Sequence, residues 1–175
     1  MLFRSGKVAG ITPTPTVINT GSGPELLAKI LADESAVRSK LENGGININR
    51  SACTVVGSSG CTSVGLINDN VINKIISLET ECKVLKSSCE VTVTGGTEWW
   101  EHGRGVRDPS LNTSNHVPGK AKQGIDISIN DVLVSFLKAK GTDMGGDSGC
   151  YSKYQYAGAI YCDEINTARH FHVNY

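Results

Sequence analysis

The chain has 175 residues, with 17 Lys plus Arg, 17 Asp plus Glu and a formal net charge of zero. That balance, with no basic run interleaved with aromatics, argues against nucleic acid and against an anionic membrane surface as partners. The length suits one domain with its own hydrophobic core, and no apolar run approaches the ~20 residues of a membrane span.

Residues 1–23 are rich in Gly, Pro, Thr and Ser, with prolines at 13 and 15, and are expected to be a flexible N-terminal arm or linker. Residues 24–175 are expected to form a single domain. The N-terminus lacks the charged start, apolar stretch and cleavage site of a signal peptide. An exported protein would therefore be represented here by a mature or excised piece.

A first helix is expected from Ser22 or Pro24, because Leu26, Leu27, Ile30, Leu31, Val37 and Leu41 recur at helical spacing and Gly44-Gly45 can end it. Residues 46–66 read as a Gly/Ser-rich loop. Asn68 to Leu85 reads as a second helix with Val71, Ile72, Ile75, Ile76 and Leu78 on its buried face. Glu90 to Thr94 alternates like a half-buried strand and stops at Gly95-Gly96. Residues 97–115 form a long polar loop with both tryptophans, and long loops in compact domains often carry function. Ile125 to Ser128 is an expected strand, and Asn130 or Asp131 caps a helix carrying Val132, Leu133, Phe136 and Leu137 up to Gly141. Tyr151 to Tyr161 reads as a strand or hairpin, and Arg169 to Tyr175 as a last strand. Helices first, then strands with a helix between, indicate an α+β fold.

Six cysteines at 53, 61, 82, 89, 150 and 162 fall into three local pairs without CxxC spacing. Fifteen connectivities are possible in principle. The local bridges Cys53–Cys61, Cys82–Cys89 and Cys150–Cys162 are the expected ones, the alternative being six buried thiols in a reducing compartment. Disulfides would place the chain outside the cytoplasm, whether secreted, periplasmic or on the cell surface.

The chemistry concentrates near the C-terminus. In Arg169-His170-Phe171-His172-Val173, strand alternation sets both histidines on one face and Phe171 and Val173 on the other. The same alternation turns Asp126 away from Ile125 and Ile127. Pro118-Gly119 is a turn signal that would fold His116 back towards Asp126. Two imidazoles and one carboxylate make an open zinc site, so Zn2+ is the expected cofactor, on His116, Asp126 and His172.

Ser114-x-His116-x-x-Gly119-x-Ala121, followed by Asp126 and later by His170-Phe171-His172, resembles the signature of the D-Ala-D-Ala carboxypeptidase, L-Ala-D-Glu endopeptidase and hedgehog-domain zinc superfamily, over roughly residues 65–175. The resemblance implies a hedgehog/DD-peptidase-like antiparallel sheet with packed helices. It also implies a metallopeptidase that hydrolyses a peptidoglycan stem peptide. Two departures stand out. Asp126 lies ten residues after His116 rather than seven, with Lys122, Gln123 and Gly124 as an apparent insertion in the turn. Gly95-Gly96-Thr97-Glu98 stands where carboxypeptidases of this group tend to have an arginine. The implied general base is His170, with Glu164 second, because Glu164 lies eight residues before His172 rather than at the family's short spacing. Glu98, His102 and Ser114 are expected at the substrate cleft, with Trp99 and Trp100 either lining it or buried under the loop. Two other readings compete. One is a non-catalytic zinc-containing extracellular binding or surface module of the same fold. The other is a serine protease suggested by Gly146-Asp147-Ser148-Gly149, which lacks an upstream histidine motif and reads better as a tight turn before Cys150.

Overall fold

The computed structural model describes residues 22–102, 104–165 and 168–175. Of the expected arm, residues 1–21 lie outside the described residues. Helix α1 (Gly23–Asn43) begins where the sequence indicates: Pro24 sits in its first turn, and the Ser22 amide donates to Glu25 Oε2 at 2.8 Å. Helix α2 (Asp69–Leu85) is capped by Asn68, whose Oδ1 accepts from the Val71 amide. The strand expected at 90–94 is β2 (Thr92–Gly95), and it follows a two-residue strand β1 (Asn47–Ile48). The loop after β2 contains a short helix α3 (Trp99–His102). Next come β3 (Gly124–Ser128) and α4 (Asp131–Lys140), the latter capped by Asn130. The chain continues with β4 (Thr142–Asp143), β5 (Cys150–Tyr156), β6 (Ala159–Glu164) and β7 (His170–Asn174). Strands β5 and β6 form a hairpin whose two turn residues, Ala157 and Gly158, both have positive φ, as a tight hairpin of this twist requires.

The fold is α+β, with four helices and one seven-stranded sheet in the order β1-β2-β3-β7-β6-β5-β4. The expected antiparallel sheet is corrected to a mixed one, since β1 pairs parallel with β2. The three expected disulfides are all present. They are consistent with an oxidising, extracytoplasmic compartment. Among the described residues no helix is long and apolar enough to cross a membrane.

Alternation along the strands separates two faces. Val93, Ile125, Ile127, Tyr161, Phe171 and Val173 pack with α2, α4 and the C-terminal half of α1 in the main core. A second cluster joins Leu26, Leu27 and Ile30 of α1 to Trp99, Trp100, Val117 and Cys53. Both tryptophans are therefore core residues. Their indole N–H groups are also satisfied, Trp99 by Arg107 O and Trp100 by Ser58 O.

Buried carboxylates tie the segment between α1 and α2 to this frame. Glu34 Oε2 accepts the amides of Val64 and Gly65, each at 2.8 Å, while Arg38 pairs with its other oxygen. Glu98 accepts the amides of Ser63 and Gly96, each at 2.9 Å. Gly96 lies so close to that segment that a Cβ would sit 2.0 Å from Ser63 O. Truncating Glu34 would leave two buried amides without their acceptor and remove the ion pair of Arg38, whose guanidinium would keep only the carbonyls of Arg50 and Thr62. We expect Glu34→Ala to lower stability by about 2–5 kcal/mol, read as a lower urea midpoint with unchanged slope.

Candidate metal centre

The second face of the sheet carries Asp126. Its cross-strand partner on β7 is His172, and His170 lies opposite Ser128, so the three side chains share one face. Two further histidines reach this face from the loop. His102 is the last residue of α3, which the tryptophans anchor in the second cluster. His116 precedes Val117, a member of the same cluster. All four histidines of the chain thus surround one carboxylate that is 3% exposed.

The distances are short. Asp126 Oδ1 lies 2.9 Å from His172 Nδ1, 3.3 Å from His116 Nε2 and 3.5 Å from His170 Nε2. Asp126 Oδ2 lies 3.3 Å from His102 Nδ1. His116 Nε2 and His172 Nδ1 are 3.3 Å apart. Burial by itself would raise the Asp126 carboxyl, but the imidazoles, His116 first, outweigh it and hold the group well below its ordinary range.

His116 is completely buried, and its Nδ1 lies 2.6 Å from the Gly96 carbonyl. A carbonyl only accepts, so Nδ1 keeps its proton, and Nε2, which faces Asp126 and His172, is the nitrogen that would be bared for a metal. That is the tautomer a metal ligand needs, fixed by a backbone partner. Ser114 Oγ accepts the His116 amide, which assigns this cleft residue a part in setting the His116 backbone. The ring of His172 lies over Gly124, where a Cβ would come 2.9 Å from its Cε1.

The apparent insertion has a structural explanation. Gly124 is the first residue of β3, and its amide closes the turn on Asn115 O at 2.9 Å. Gln123 is buried, with its Oε1 accepting from Asn68 and its Nε2 donating to Leu66 O. Two of the three extra residues thus belong to the strand and its anchorage, and His116 still meets Asp126.

The centre opens on a cleft of about 360 Å³ lined by Glu101, Ser114, Asn115, His116, Glu164 and the other three histidines. On its wall His170 Nε2 lies 3.3 Å from Glu164 Oε2, and His170 Nδ1 lies 2.6 Å from Ala168 O. Burial pulls the His170 imidazole down, but the Glu164 hydrogen bond and the Asp126 charge together push it up to about 9. The same hydrogen bond from His170 lowers the Glu164 carboxyl. Glu98, expected at the cleft, is 1% exposed and spends both oxygens on backbone amides. Asp163 is buried against Arg169, away from these groups. Asp147 accepts the amides of Gly149 and Cys150, so the Gly-Asp-Ser-Gly string is a tight turn.

His102, His116 and Asp126 form a group whose donor atoms lie close enough to hold a metal ion. His172 Nδ1 is as near to His116 and Asp126 as these are to each other. Sequence reading missed the contact of His102 with Asp126, since its short helix is placed by packing of Trp99 and Trp100 on Leu26, Leu27 and Ile30, which are remote in the chain. Compared with family models, curated proteins and solved structures, the chain gives no match.

The room beneath His172 yields a direct test. Gly124→Ala should displace the His172 ring, shifting its imidazole NMR resonances and weakening metal binding by about tenfold, with far-ultraviolet circular dichroism unchanged.

Proposed function

We propose that this domain is a zinc-dependent peptidase acting on a peptidoglycan stem peptide, with the metal held by His116, Asp126 and His172. The observation that carries the reading is the spacing of the three donor atoms, at 2.9, 3.3 and 3.3 Å, beneath an open cleft. A tetrahedral ion bound at 2.0–2.1 Å sets its ligand atoms about 3.3 Å apart. The donor set of two imidazoles and one carboxylate is that of an open zinc site, with one position left for water or substrate.

His102 is the weaker third ligand for a stereochemical reason. An imidazole lone pair lies in the ring plane. The rings of His102 and His116 are stacked at 3.6 Å with an interplanar angle of 12°, so their lone pairs lie in separate, nearly parallel planes and do not converge on one ion. His172 is tilted by 52° to His116, which lets the two lone pairs meet.

Bound there, zinc supplies Lewis acidity towards the scissile carbonyl and the attacking water. The chain's own residues do the rest. His170 donates through Nδ1 to Ala168 O, which leaves Nε2 as the atom that exchanges protons, turned towards Asp126 Oδ1. With the imidazole pushed up to about 9, Nε2 holds a proton at neutral pH and delivers it to the leaving amine, and it can take the proton of the attacking water only as the pH approaches about 9. Glu164 holds that imidazole in place. The substrate class is supported by the motif Ser114-x-His116-x-x-Gly119-x-Ala121 and by the late His170-Phe171-His172, which resemble the carboxypeptidase, endopeptidase and hedgehog superfamily. The disulfides suit a protein working at a cell wall.

The test is hydrolysis of stem-peptide fragments followed by mass spectrometry. Cleavage should be abolished by a chelator and restored by zinc. His170→Ala should lower kcat/KM by about 10²–10⁴-fold while metal content stays unchanged. Full zinc retention by the wild type with no cleavage of any stem-peptide bond would reject the peptidase and leave a zinc-containing binding module.

A further inference from the structure

We infer that His102 is a positioning residue which restricts Asp126 to coordination through Oδ1 alone and so keeps one side of the bound ion open; this rests on the metal set proposed above. The ring has no polar edge to offer a substrate. Its Nδ1 faces Asp126 Oδ2 at 3.3 Å. Its Nε2 is buried without a hydrogen-bond partner among the described residues, 3.7 Å from Glu98 Oε1. One flat side of the ring is covered by His116.

The other oxygen of Asp126 is clamped from two directions. Gly95 is the register partner of Asp126 on β2, and a Cβ there would come 2.6 Å from Asp126 Oδ2 and 3.0 Å from His102 Cε1. Oδ2 and the His102 ring therefore fill the room that the glycine leaves. Oδ1, by contrast, points at His116 and His172. A carboxylate can bind a cation through one oxygen or through both. Rotation of Asp126 about its last torsion would bring Oδ2 onto the ion as a fifth donor, on the side from which substrate must approach. The His102 Nδ1 contact opposes that rotation. His102 is itself held because Trp99 and Trp100, earlier in the same short helix, are locked in the second hydrophobic cluster. The Gly-Gly turn and the tryptophan loop thus acquire one purpose, which is to seat a histidine behind a ligand.

Cobalt(II) reports this directly, since its visible absorption is more intense in four-coordinate sites than in five-coordinate ones. Metal-stripped wild type, His102→Ala, His102→Asn and His102→Gln would be titrated with cobalt. An asparagine amide nitrogen takes the place of Nδ1, whereas a glutamine nitrogen takes that of Nε2. Wild type and His102→Asn should show the intense four-coordinate bands. His102→Ala and His102→Gln should show the less intense five-coordinate bands and a loss of cobalt affinity of about 10–100-fold. If His102→Ala fails to fold, the asparagine and glutamine variants decide between themselves. Identical spectra and affinities in all variants would overturn the inference and leave the metal set intact. Equal losses with asparagine and glutamine would also overturn it, since the ring would then act by filling space alone. Failure of the wild type to bind cobalt would overturn the metal set, and this inference with it.

Discussion

A carboxylate withdrawn from water must have its charge met, because an unpaired buried charge costs several kcal/mol. Asp126 is withdrawn to 3% exposure in the centre of a sheet, and every histidine of the chain is placed against it. Much of the architecture is intelligible as delivery of those four rings. The β3–β7 register brings His172 directly opposite, and two residues along β7 it brings His170. The other two rings come from a loop, which has no ladder to place it and so needs a core of its own. The cluster of Leu26, Leu27 and Ile30 with Trp99, Trp100 and Val117 is that core.

The same constraint explains where side chains are missing. Gly95 and Gly124 lie under Asp126 and His172, and Gly96 lies against Ser63 while its carbonyl fixes the His116 tautomer. Their common feature is close approach of backbone to a side chain of the candidate centre or to the segment supporting it. Glu34 and Glu98 hold that segment by accepting backbone amides, which satisfies loop donors that no strand reaches.

Local periodicity made α1, α2, α4, β3, the β5–β6 hairpin and β7 legible in the sequence, because each has its own cap, turn or alternation. It also made the shared face of His170 and His172 legible, and the three short-range disulfides. β1 and β4 were not legible, since two residues carry no pattern and their assignment depends on the neighbour they pair with. The role of Glu98 was misplaced for a related reason. A carboxylate in a polar loop looks solvent-facing until the amides of Ser63 and Gly96 are brought to it from 35 and 2 residues away. Gln123 and Gly124 looked like turn insertion because their partners, Asn68, Leu66 and His172, are remote in the chain.

The arrangement grades from a closed floor to an open wall. His116 is fully buried, whereas the side chains of His172 and Glu164 are 17% and 32% exposed. Such a gradient suits a centre that holds an ion by its inner side and offers the outer side to a ligand. The most direct measurement is the metal content of purified, non-denatured protein, comparing wild type with His116→Ala and His172→Ala. The account predicts about one zinc per chain in the wild type and its loss from both variants. A folded wild-type protein that takes up no metal at any zinc concentration would contradict it.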